Sequence, residues 1–190
     1  ALHGRARKRT IHLEHLHRMR TTGILLGMLA WSGLVSAQKE ADRAIREGND
    51  AYKKGDQADA IRSYEKARTD QRGAFNLGNA YYRQDSAADA QRTFEAATSL
   101  AKDPDAQARA FHNLGNSWMK QQKWQEAANA YKQALRRKPD DEDTRYNLAY
   151  AQKKLQEEQK KKDKNKDQKQ DQQQQDQQQQ EQKQDQKDQK

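Results

Sequence analysis

Three asparagines, Asn49, Asn79 and Asn116, each follow a glycine, and four positions after each stands a cation: Lys53, Arg83 and Lys120. On a helix, residues four apart share one stripe, so each unit presents an amide with a positive charge one turn along. Amides bond a peptide backbone without demanding a sequence, and cations favour carboxylates. Tyr52 and Tyr82 stand beside the basic positions, while Arg72 and Arg109 fall where the next such helices begin. The pattern predicts a peptide-binding groove lined by Asn49, Tyr52, Lys53, Arg72, Asn79, Tyr82, Arg83, Arg109, Asn116 and Lys120. Such a groove suits an acidic or carboxyl-terminal peptide. The competing reading makes the asparagines routine helix residues and the cations solvated helix ends.

Other chemistries find little support. The chain has no cysteine, which excludes disulfides, thiolate metal sites and thiol catalysis. Four of its five histidines precede residue 18, leaving His112 alone in the body. No phosphate-binding glycine loop or nucleophile elbow is present. We therefore expect no catalytic residues, metal, cofactor or small-molecule substrate. Nucleic-acid binding is the alternative raised by a formal charge of +9. Residues 1–37 hold six Lys/Arg and one Glu, so they supply +5 and leave 31 − 27, or +4, for the remainder. That excess is small and acids interleave it, so no nucleic-acid partner is expected.

The elements that must position the asparagines form a repeat. Gly48, Gly78 and Gly115, with Ala149 in the same place, are spaced 30, 37 and 34 residues apart. Twelve positions after each glycine comes Ala60, Ala90 or Ala127; sixteen after comes Tyr64, Phe94 or Tyr131; nineteen after comes Ala67, Ala97 or Ala134. Glycine costs about 1 kcal/mol of helix propensity relative to alanine, so packing must require it. The spacing places each small residue where a first helix lies against its partner near Ala60, Ala90 or Ala127. The aromatics would then fill space toward the next pair. Breaks are expected at Gly55-Asp56, Asp103-Pro104 and Lys138-Pro139-Asp140-Asp141, with a clipped connection around 69–73 and a longer one around 102–107.

This period and these positions resemble the tetratricopeptide repeat (TPR) family across residues 41–155. The resemblance implies an all-α, right-handed α-solenoid of about three helix pairs (41–70, 71–104 and 105–139) plus a C-terminal capping helix over 142–155. It also implies a non-catalytic protein-interaction module. The family's carboxylate clamp uses two such asparagines with basic residues. Asn49, Asn79 and Arg109 match it, whereas Ile45 and Asn113 stand where it has cations.

Both ends differ from this body. Met19-Arg20, the apolar run Gly23–Val35 and the ending Val35-Ser36-Ala37 have the three parts of a secretory signal peptide over 19–37. Residues 1–18 read as an upstream or mis-start extension, and His12, His15 and His17 within it are excluded from the fold. From residue 156 to 190 the chain is Gln-, Lys- and Asp-rich, which predicts a disordered or transiently helical tail. A signal peptide, Asn-Leu-Gly-Asn repeats, the segment DEDTRYNLAYAQKKLQ and such a tail together resemble the tetratricopeptide proteins of the Bacteroides aerotolerance (Bat) operons, BatC or BatE type. That resemblance implies a periplasmic protein, associated with the inner membrane through its leader or partners. The partners it implies are von Willebrand A-type domain proteins linked to tolerance of oxidative stress.

Overall fold

The computed structural model describes residues 36–188, and every regular element among them is helical. Seven helices follow in order: α1 over 36–54, α2 Gln57–Glu65, α3 Gln71–Arg83, α4 Ala87–Leu100, α5 Pro104–Lys120, α6 Trp124–Arg137 and α7 Glu142–Asp188. The fold is all-α, built of helix pairs with a closing helix. The extension over 1–18 and the apolar run of the leader lie outside the described residues. Two compact units divide within α3, the first ending at Leu77 and the second starting at Gly78.

In the first unit, α1 meets α2 at a missing side chain. A Cβ placed on Gly48 would lie 2.5 Å from Tyr64 Cε1. The tyrosine therefore occupies the glycine of its own pair, where the sequence reading had sent it toward the next. Ala44, Ile45 and Ala67 form the buried cluster, with Ala41 packed against it. Asp56 caps α2, its carboxylate accepting from the Asp59 amide at 3.0 Å. α2 has nine residues against fourteen in α4 and in α6. The first repeat is thus short because its second helix is short. Gly73 lies so close to the Ala67 carbonyl that a Cβ there would strike backbone, which lets α3 start directly after the turn over 66–70.

The second unit repeats the contact twice. A Cβ on Gly78 would lie 2.6 Å from Phe94 Cε1, and one on Gly115 would overlap the Tyr131 ring. Phe94 and Tyr131 are fully buried as a result. α4 packs on α5, α5 on α6 and α6 on α7. Around the last contact Ala127, Ala128, Tyr131 and Ala151 are buried, flanked by Trp118, Met119 and Leu148. The extra residues of the second repeat were expected in a long connection around 102–107. Instead Asp103 caps α5 by accepting from the Ala106 amide at 2.9 Å, and Pro104 opens the helix. α5 absorbs the length as an added turn, reaching seventeen residues against thirteen in α3.

Each helix pair turns at the same register. Gly55, Asp85 and Gln122, seven positions after Gly48, Gly78 and Gly115, have φ of 85°, 65° and 58°. This left-handed conformation ends the first helix and frees the chain to reverse. α7 does not reverse. Thr144 and Ala151 are buried on its inner side, and beyond Leu155 the backbone continues helical to Asp188. The sequence predicts a disordered or transiently helical tail over residues 156–190, and the structure shows its helical form to Asp188. Gln, Lys and Glu are good helix formers, and nothing after Pro139 interrupts the helix with Gly or Pro. Pairs along it, such as Lys162 with Glu158 at 2.6 Å, add local support.

Candidate functional site

The asparagines are the first components of the site, and the structure shows what they bond. In the first unit Asn49 Oδ1 accepts from the Tyr64 hydroxyl at 2.8 Å and from Asn76 Nδ2 at 3.0 Å. In the second, Asn116 Oδ1 accepts from the Tyr131 hydroxyl at 2.7 Å and from Asn147 Nδ2 at 3.2 Å. Asn79 Oδ1 accepts from Asn113 Nδ2 at 2.9 Å; its pair carries Phe94, which has no hydroxyl to donate. The asparagine after each glycine is therefore an acceptor for the asparagine two places before the next small residue. Asn-Leu-Gly-Asn writes both halves of this clip, and Asn147-Leu148-Ala149 supplies the last donor. Burial raises the phenol pKa of Tyr64 to about 12, with Tyr52 adding to the effect, and burial also raises that of Tyr131. Both hydroxyls therefore stay protonated and able to donate.

The ten sequence-predicted residues fall in both units. Asn49, Tyr52, Lys53 and Arg72 belong to the first; Asn79, Tyr82, Arg83, Arg109, Asn116 and Lys120 belong to the second. Arg72 is bound to its own unit, pairing with Asp42 at 2.6 Å and Asp70 at 2.9 Å. The Arg72 side chain in turn holds the Asp70 carboxyl below its usual range. Lys53, Arg83 and Arg109 are exposed. Lys120 Nζ donates to Asp85 Oδ1 at 2.6 Å and to the Tyr82 carbonyl at 3.2 Å, and lies 4.3 Å from the centre of the Tyr82 ring.

Within the second unit, part of the predicted set converges on a cleft of about 560 Å³. Tyr82 from α3, Asn116 and Lys120 from α5, and Tyr131 from α6 line it. So do Met119, Tyr146, Asn147 and Tyr150, which the sequence reading had not placed in a site. Tyr146 is 70% exposed and Tyr150 42% exposed, unusual values for large apolar-bodied rings. A signal for them existed: Tyr146 and Tyr150 flank the fourth small residue, as aromatics flank the earlier ones. Lys154 stands 5.5 Å from the Tyr150 ring centre and pairs with Glu157 at 3.1 Å.

His112 lies to one side of this cleft. Its Nδ1 is 2.7 Å from Thr144 Oγ1, and its ring meets Tyr131 edge-on with centres 5.8 Å apart. Burial lowers its pKa, with Asp141 and Asp143 opposing. Its neighbours join α5 to α7 and give it a structural place. Among the described residues no group of three or more His, Asp or Glu side chains could hold a metal, and no helix is long and apolar enough to cross a membrane.

Comparison with known proteins agrees with an array of helix pairs. Residues 115–156 match the family model described as TPR repeat. The first TPR of Spaghetti (RPAP3), solved bound to an HSP90 peptide, SRMEEVD, is similar at 23% identity and a TM-score of 0.57. The match covers 62% of this chain and 94% of that one. The fold is that of a tetratricopeptide array. The first TPR domain of human RPAP3 is similar at 22% identity and a TM-score of 0.57, over 64% and 96% of the two chains. The Sgt2 TPR domain from Aspergillus fumigatus follows at 20% identity and 0.56, over 64% and 82%. No curated protein matches the chain. The cleft is lined from α3, α5 and α7, the first helices of successive pairs, together with Tyr131 of α6.

Proposed function

We propose that the protein is a non-catalytic adaptor that holds a peptide segment of a partner protein in the cleft of its second unit. The observation that carries this reading is the pair of exposed tyrosines, Tyr146 and Tyr150, facing one cleft with Tyr82, Asn116 and Lys120. Exposed aromatic surface beside spare amide groups is what a bound segment would cover. One further fact supports it: TPR domains of this fold were solved with peptides of HSP90 and HSP70.

The setting we propose is the bacterial cell envelope. There the adaptor would act in the periplasm beside von Willebrand A-type domain proteins of an aerotolerance or oxidative-stress complex. The leader-like segment over 19–37 and the DEDTRYNLAYAQKKLQ helix support this setting.

A photo-crosslinking amino acid placed at Tyr146, in envelopes of the producing cell, tests both halves. We expect one dominant protein adduct that is absent when the same group replaces Lys132, exposed on α6. Equal adducts from both positions, or none from Tyr146, would refute the adaptor reading.

A further inference from the structure

We infer that the cleft takes an extended, proline-bearing segment without net negative charge, rather than the acidic peptide that the sequence pattern suggests. This rests on the adaptor reading and names the chemistry of its ligand. The argument begins with charge. Lys120, the cation of the cleft wall, is already neutralised by Asp85 at 2.6 Å and bonded to the Tyr82 carbonyl. The Lys120 side chain also holds the Asp85 carboxyl below its usual range, so that acid stays ionised beside it. Lys154, over the Tyr150 ring, is likewise paired with Glu157. A ligand carboxylate would compete with these acids for the same ammonium groups, where exposed ion pairs contribute little.

The rest of the wall is aromatic and amide. Tyr82, Tyr146 and Tyr150 line it, with Lys120 over the Tyr82 ring and Lys154 over the Tyr150 ring, and Met119 adds an adaptable apolar surface. Asn116 accepts two bonds at Oδ1, which leaves its two N–H groups to offer; Asn147 donates one, which leaves its own oxygen as an acceptor. An extended backbone presents carbonyls and amides that match such a pair. Proline fixes the chain in an open helix whose carbonyls are unbonded and whose rings stack on aromatic faces, at low entropic cost. Exposed Tyr146, beside Tyr82 and Tyr150 that each already carry a lysine over the ring, suits a ligand that brings no charge.

The test titrates three synthetic peptides into the full chain by calorimetry and amide-resolved NMR: a capped oligoproline, a capped Gly/Ser peptide of equal length, and an acidic peptide with a free carboxylate. We expect the oligoproline to bind most tightly and to shift the side-chain amides of Asn116 and Asn147. Tyr146→Ala removes an exposed ring, so it leaves the fold intact and should weaken oligoproline binding about five-fold. Lys120→Ala should change it by less than about two-fold. Tightest binding of the acidic peptide, abolished by Lys120→Ala, would overturn the proposed chemistry while leaving a peptide-binding adaptor. Equal binding of oligoproline and Gly/Ser peptide, no binding by any, or insensitivity to Tyr146→Ala would also overturn it. The adaptor reading itself is decided by the crosslink from Tyr146.

Discussion

Asn116 accepts two hydrogen bonds at one oxygen, and one of them comes from the hydroxyl of Tyr131, a side chain that is 1% exposed. The equivalent Asn79 belongs to a helix pair that carries Phe94 in place of the tyrosine, and it accepts from Asn113. Asn116→Ala strands a buried hydroxyl as well as Asn147 Nδ2, and should cost about 2–3 kcal/mol. Asn79→Ala loses the bond from Asn113 alone and should cost about 1 kcal/mol. Urea unfolding of both variants checks the order. Tyr131→Phe in the Asn116→Ala background should recover part of the loss, because it removes the stranded group.

This clip shows how far the sequence could be read. The interval of Gly48, Gly78 and Gly115 set the helix pairs, because a helix cannot carry glycine at one register without a packing reason. Asn49, Asn79 and Asn116 stand out in sequence because they follow those glycines, but the side chains they bond do not. Asn76, Asn113 and Asn147 lie 27, 34 and 31 residues from the groups they bond, and an intramolecular bond looks the same in sequence as an open binding group. The cations were misleading in the same way. Arg72 and Lys120 have the right type and register for a ligand, yet nearby acids take both. Tyr146 and Tyr150 escaped notice because aromatics at helical spacing ordinarily mark a core.

Gly78→Ala should destabilise despite the better helix propensity of alanine. The new methyl would lie 2.6 Å from Phe94 Cε1, and the ring is fully buried. Overpacking of this kind costs about 1–3 kcal/mol, against a propensity gain of about 1 kcal/mol. A net loss of about 1 kcal/mol is expected by thermal or urea unfolding. Phe94→Leu should cost less in the Gly78→Ala background than in the parent, since the smaller side chain relieves the clash.

Gln122→Gly should do the opposite. Gln122 holds φ of 58°, where Gly55 does the same work at 85° in the first unit. A side chain in this region costs about 1–2 kcal/mol, and glycine returns some of that as unfolded-state entropy, leaving a gain of about 0.5 kcal/mol. Asp85 shares the conformation but pairs with Lys120, so Asp85→Gly should gain less. Midpoints of urea unfolding for the two variants separate the backbone effect from the ion pair.

The stability of the second unit should depend on pH through His112. Burial against Tyr131 and Thr144 lowers its pKa from 6.5, although Asp141 and Asp143 pull the other way. The unfolded chain therefore takes up the proton first, so this contribution is complete above pH 6.5 and is lost as pH falls toward the lower folded value. Asp141 and Asp70, whose carboxyls are held low, lose their contributions only in the more acidic carboxylate range. The two windows are separable. Between about pH 8 and about pH 5.5, the parent should lose melting temperature while His112→Asn, already less stable, should lose less of it. A parent and variant that fall in parallel over this range would show that protonation of His112 does not oppose folding.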